Sequence, residues 1–183
     1  MEFPVVRAAG RICTAVLLAL AMGACVSAGD EGKDEQLPVK ARGEARAWAR
    51  QMTEHAGTVG GVVVDSDKAS VLFSPCTGKN GETAADGRYI LMYTVRGSVP
   101  RDRHPEVVRK IRDMVTGEGL KIQGYRETYE GEPNALLDAK HPESDYLLSV
   151  DSTAGGDGSG LSIGVITPCL VPPPGDPGTP ESR

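Results

Sequence analysis

Residues 88–129, RYILMYTVRGSVPRDRHPEVVRKIRDMVTGEGLKIQGYRETY, read as a strand, a helix and a strand in immediate succession, and the way these three connect decides the fold. In RYILMYTVRG, Tyr89, Leu91, Tyr93 and Val95 fall on one face, and Ile90, Met92 and Thr94 fall on the other. Apolar residues on both faces predict a strand well inside a sheet. Pro105 suits a first helical position, Glu106 favours the positive end of the helix dipole, and Val107, Val108, Ile111, Met114 and Val115 form an apolar stripe. Arg109, Lys110, Arg112 and Asp113 take the wet side, TGEG ends the helix, and LKIQGYRETY alternates as a strand. Two connections remain open: a right-handed parallel crossover, or a strand on each side of the helix within a mostly antiparallel sheet.

Toward the N-terminus, Ala41, Ala45, Trp48, Met52 and Ala56 recur every three to four positions before Gly57, which predicts a first amphipathic helix with a glycine stop. Trp48, the single tryptophan, sits on that stripe and reads as core. GVVVD (61–65) and ASVLFSPC (69–76) are strand-like and separated by SDK. The loop TGKNGETAADG then joins 69–76 to 88–97, most simply as an antiparallel pair. Toward the C-terminus, YLLSVDS (146–152) and LSIGVIT (161–167) flank the hairpin-like loop TAGGDGSG. The order is α-β-β-α-β-β-β, with the GVVVD segment an uncertain strand. The expected class is α+β: a two-layer sandwich in which a mostly antiparallel sheet carries both helices on one face. SPC at 74–76 and TPC at 167–169 each end a strand, an echo that convergent strand-end chemistry explains as well as duplication does.

Upstream of this domain the residues read as an address. Arg7 and Arg11 precede the uncharged run Ile12–Met22, followed by Gly23, Ala24 and Cys25, the order of a secretory signal. The apolar run is shorter than the ~20 residues a membrane-spanning helix needs. Ala21-Met22-Gly23-Ala24-Cys25 resembles the lipobox of bacterial lipoproteins, with Met22 where the pattern prefers Leu. That resemblance implies cleavage before Cys25 and lipidation of its thiol, and so a protein held at the extracytoplasmic face of the cell membrane. The competing reading is an ordinary signal cut elsewhere, for instance after Ala28. Two acyl chains, at ~0.8 kcal/mol per buried methylene, anchor without help from basic residues.

The expected organisation is a signal at 1–24, the lipidated cysteine and an acidic tether at 25–39, one domain at 40–171, and a Pro-rich disordered tail at 172–183. The tether, as a flexible coil, spans about 20 Å. Five prolines in LVPPPGDPGTPESR keep the tail out of sheet interiors and helices. Without residues 1–24, 18 basic face 24 acidic residues. An acidic chain argues against nucleic acid, whose binding depends on Lys and Arg neutralising phosphates. The expected partners are therefore the membrane, through the lipid on Cys25, and an envelope protein.

With Cys13 in the signal and Cys25 acylated, Cys76 and Cys169 remain, and an even pair in an oxidising compartment reads as one disulfide. Free thiols are the alternative, although no C-x-x-C spacing occurs.

Signatures of chemistry are scarce. Neither G-x-S-x-G nor G-x-x-x-x-G-K-[ST] is present. His55, His104 and His141 fall at a helix end, a helix start and a loop, with no metal-ligand spacing. Asp65-Ser66-Asp67 and Asp151…Gly155-Gly156-Asp157-Gly158 offer oxygen ligands beside glycine but lack the full calcium-loop pattern, and turn formation accounts for both. Tyr125, Tyr129 and Tyr146 could line a surface or flank strands. No catalytic residue, cofactor or metal site is therefore assigned.

Over residues 17–172 the chain resembles the uncharacterised lipoproteins of high-GC Gram-positive bacteria. There a lipobox precedes a short acidic tether and one small α+β domain with Ser-Pro-Cys and Thr-Pro-Cys-Leu pieces, here Ser74–Cys76 and Thr167–Leu170. The resemblance implies an address and transfers no activity. Three readings follow. The first is a lipid-anchored binding module without catalytic activity, which requires an exposed apolar or aromatic patch. The second is an extracytoplasmic hydrolase whose site is assembled from loop residues. The third is an inhibitor of an extracellular enzyme, presenting loop 77–87 or 154–160 to its target.

Overall fold

The computed structural model describes residues 37–128, 135–152 and 160–176. Six strands form one sheet: β1 (Ser70–Pro75), β2 (Tyr89–Ser98), β3 (Lys121–Glu127), β4 (Ala135–Lys140), β5 (Leu147–Ser152) and β6 (Gly160–Ile166), in the order β1-β2-β6-β5-β4-β3. Every neighbouring pair is antiparallel. Two helices, α1 (Arg42–Gly60) and α2 (His104–Gly117), complete an α+β fold.

The open question in residues 88–129 has a mixed answer. Four antiparallel steps separate β2 from β3, so the two strands run in the same direction, as in a crossover. They are not neighbours: α2 carries the chain across β6, β5 and β4 to the far edge. From there β3 to β6 return as a meander until β6 inserts against β2.

Alternation along the strands aims one set of side chains inward. Tyr89, Leu91, Tyr93 and Val95 of β2 join Leu161, Ile163 and Val165 of β6, Leu148 and Val150 of β5, and Ala135, Leu137 and Ala139 of β4 in one core. Both helices pack on this same face. Burying each large aliphatic side chain is worth about 1.5–3 kcal/mol. Helix α2 contributes Val107, Val108, Ile111 and Val115, all fully buried. Helix α1 lies close because its innermost residues are small: Ala45, Ala49 and Ala56 are fully buried, with Trp48 and Met52 at the margins. The expected stop at Gly57 comes late. Gly57 and Gly60 are both buried within the helix, which ends at Gly61, whose φ of 73° suits a left-handed cap.

Two further expectations change. GVVVD makes a single bridge, Val64 to Gly97, before a 3-10 turn at Ser66–Lys68, rather than a full strand. Val62 turns inward and fills the space above Gly97, while Val63 is 90% exposed. Conversely, ALLDAK (135–140) forms β4, a strand absent from the expected order.

The two ends of the domain meet at the start of β2. Val171 N–H donates to Pro38 O and Lys40 N–H to Val171 O. Arg42 pairs with Asp176 at 3.0 Å, donates to Gly87 O, and stacks over the Tyr89 ring, whose hydroxyl donates to Lys40 O at 2.7 Å. Burial, with Asp176 second, pushes the Tyr89 phenol up to about 12. Ordered contacts thus run past residues 40 and 171 on both sides. Cys76 and Cys169 are joined in a disulfide, Cα atoms 5.8 Å apart, which ties the end of β1 to the segment after β6.

The signal, Cys25, most of the tether, the tail beyond Asp176, Tyr129 and Asp157 lie outside the described residues. Among the described residues, no helix is long and apolar enough to cross a membrane.

Candidate functional site

Among the described residues, both helices lie on the core face and neither covers the second face of the sheet. Strand register arranges its side chains in rows running across the strands. One row is apolar, Leu72, Met92, Ile166 and Leu147, and ends in two lysines, Lys140 and Lys121. Leu72 is 49% and Met92 41% exposed. The next row is small and polar: Ser70, Thr94, Gly164, Ser149, Asp138 and Gly124. A third carries charge: Arg96, Ser162, Asp151, Leu136 and Arg126.

Small residues in the middle row make a trough. A Cβ at Gly164 would come within 3.2 Å of Thr94 Oγ1, and one at Gly124 within 3.3 Å of Asp138 Oδ2. At the β1–β2 side the trough opens into a groove of about 800 Å³, walled by Val63, Asp65 and Lys68 and floored by Ser70, Thr94, Arg96 and Ser162. The wall exists because the Val64–Gly97 bridge and the Asp65 N–H to Arg96 O bond hold segment 62–65 against the end of β2. That volume falls in the range of pockets that take small molecules.

Charges around the groove are unevenly satisfied. Lys68 pairs with Asp65 at 2.8 Å, and the bond from Lys68 holds the Asp65 carboxyl below its usual range. Arg96 is exposed and has no carboxylate within ion-pair distance among the described residues. Asp138 and Asp151 are half-buried, and neither has a cation within ion-pair distance or a hydrogen-bond donor among the described residues. Desolvation, then the Asp138 charge, pushes the Asp151 carboxyl above the usual carboxylate range, and Arg96 pulls only weakly the other way. Asp138 sits diagonally from Asp151 across β4 and β5, a separation of roughly 7–8 Å between Cα atoms. Between Arg96 and Asp151 stands Ser162, 7% exposed, with no hydrogen-bond partner for its hydroxyl among the described residues. Its hydroxyl oxygen is not sealed from solvent and opens into the groove. The groove thus offers an unpaired cation and an unused hydroxyl, and the unpaired Asp151 carboxylate stands next to Ser162 in the same row, beyond the groove's lining.

Residues singled out in the sequence have other work. The three histidines are not brought together. His55 Nε2 lies 3.3 Å from Glu118 Oε1, His104 is fully buried with Nε2 3.0 Å from Val99 O, and His141 Nδ1 accepts from the Glu143 and Ser144 N–H groups. Tyr125 donates to Glu127 and lies under Arg112, and Tyr146 meets Trp48 edge-on at 4.9 Å. Both serve helix–sheet seams rather than an open surface. Asp67 is 3.5 Å from Arg50, and among the described residues no group of three His, Cys, Asp or Glu converges as a metal would require. Loop 77–87 is pinned by Gly78 N–H to Glu82 O and Ala84 N–H to Cys76 O.

Of the acidic residues singled out, Asp65 lines the groove and Asp151 stands next to Ser162 in the charged row, while Asp157 lies outside the described residues. Ser70, Thr94, Arg96, Asp138 and Ser162 were not singled out by sequence reasoning. A usable signal was present: Arg96 is the one charge between Tyr89 and Ser98, and Asp151 the one charge between Leu147 and Ser152. A lone charge inside an otherwise apolar strand marks a position that faces water or a ligand.

The chain matches no known family model, no curated protein and no solved structure.

Proposed function

We propose that this protein is a lipid-anchored extracytoplasmic binding module that engages its ligand or partner with the open face of its sheet. The observation that carries the reading is that face: an apolar row beside a groove holding an unpaired arginine, on a sheet whose other face carries both helices. A sheet needs only one covered face to be stable, so leaving apolar residues such as Leu72 and Met92 in water has no folding rationale. The lipobox-like Ala21–Cys25 and the acidic stretch after it support anchoring of the module at the membrane surface.

Two measurements test the two parts. Cys25→Ser should release the protein into the medium or leave it unprocessed; retention on the membrane at the same mature mass refutes the anchor. A photo-crosslinking residue at Leu72 or Met92 should form discrete adducts on intact cells, whereas one at Arg109, on the exposed side of α2, should not. Equal labelling from both faces, or none from either, refutes the docking face.

A further inference from the structure

We infer that the charged row of the open sheet face, from the groove at Arg96 and Ser162 to Asp151 beside it, is a site for a short zwitterionic peptide, its free carboxylate held by Arg96 and its free ammonium by Asp151, with the Ser162 hydroxyl between them. This rests on the reading of that face as the binding face and names its ligand class.

Three independent features converge on it. The first is charge. Arg96 and Asp151 flank Ser162 in register, two strand spacings apart, which places their Cα atoms roughly 10 Å from each other. Residues this close across a sheet could have been paired by a small change of side chain; instead each keeps its hydrogen-bonding capacity free. A ligand that bridges them needs opposite charges at its two ends. An extended chain covers about 3.3–3.6 Å per residue, so the termini of a di- or tripeptide span that gap. The second feature is Ser162, over nine-tenths buried and lining the groove, whose hydroxyl can donate to or accept from a peptide group lying across it. The third is shape. Gly164 leaves the trough floor open beside Thr94, and the apolar row of Met92, Ile166 and Leu147 borders it for a ligand's side chains.

Asp138 strengthens the preference for a cation at the Asp151 end. Its charge raises the cost of ionising Asp151 in the empty site, a cost that an incoming ammonium removes. Lys68 adds little to the other end because Asp65 neutralises it. A purely anionic ligand would meet Asp151 and Asp138 unscreened, and a purely cationic one would leave Arg96 unused.

The test uses trialanine with free termini, its N-acetylated form and its C-amidated form, titrated into the mature domain and followed by calorimetry and by amide shifts of β2, β5 and β6. Free trialanine should bind, and each blocked form should bind about tenfold or more weakly. Arg96→Gln should abolish the distinction between free and amidated peptide while keeping that between free and acetylated; Asp151→Asn should do the reverse. A merely structural role for either residue would weaken all three peptides alike, and melting curves of both variants confirm folding. Equal binding of free and blocked peptides, or no binding of free trialanine at millimolar concentration, overturns the assignment. If that happens while crosslinking from Met92 still yields adducts, the ligand class alone has failed; if both fail, the binding face has failed with it.

Discussion

Gly97 is the point at which the groove wall, the core and β2 meet, and Gly97→Ala probes all three. An ideal Cβ there would overlap Val62 Cγ1 and lie 3.1 Å from Val63 O. Val62 is only 5% exposed and has nowhere to withdraw, so the new methyl overpacks a filled space. Such insertions cost about 1–3 kcal/mol, and the gain from replacing a strand glycine recovers about 0.5–1 kcal/mol. The net loss is about 1–2 kcal/mol. For the roughly 130 described residues, with an unfolding entropy near 2.1 cal/mol/K per residue, that corresponds to a fall in Tm of about 4–7 °C. Val62→Ala alone should also destabilise, by leaving a cavity. In the double variant the methyl introduced at position 97 takes the space that Val62 vacated, and the losses should fall short of additivity by about 1 kcal/mol or more. Thermal and urea denaturation of the four proteins measures the cycle. Losses that add to within about 0.3–0.5 kcal/mol would refute the claim that Val62 serves as the missing side chain of Gly97.

Asp151→Asn should raise stability at neutral pH. Because the folded protein holds this carboxyl's proton more tightly than the unfolded chain does, the group's contribution is fully present below the unfolded value of about 3.9 and lost as pH rises through the folded one. The advantage of the variant should therefore vanish in melts near pH 3; an advantage that persists there would mean the carboxyl's charge is not its cause. Cys76→Ser and Cys169→Ser should lower stability equally, by up to about 4–5 kcal/mol for the loop their 93-residue separation closes. Unequal losses in matched urea titrations would show the two thiols acting separately.

Much of the architecture was legible in residue order because its signals are local. The stripes of α1 and α2 and the alternation in 88–97 and 161–167 are set by neighbours three, four or two positions away, and the cysteines could be paired by counting. β4 was not legible. Its inward residues are Ala135, Leu137 and Ala139, and Ala, Asp and Lys carry weak strand preference, so its place is fixed by pairing with β5 and β3 on either side. GVVVD misled for the opposite reason: strong β-branched propensity gave way to the need of one valine to fill the space above Gly97. The crossover could not be resolved because the same strand–helix–strand pattern serves neighbouring and distant strands. The candidate site was the least legible part. Its members come from five separate segments, and only cross-strand register places Arg96, Ser162 and Asp151 in one row.

The last strand in sequence occupies an interior place in the sheet, bonded to β2 on one side and β5 on the other. A chain leaving a ribosome or a translocation channel N-terminus first therefore presents two unfinished pieces, β1–β2 and β3–β4–β5, each with an unpaired edge. Neither can close until Ile166 has emerged, and Cys76 has no partner until Cys169 follows. Native pairing between segments this far apart is slow to form, and open edges invite association with other chains. The order of the strands thus delays folding until synthesis is nearly complete. Any product cut short before β6 keeps both edges open and is left to chaperones and proteases.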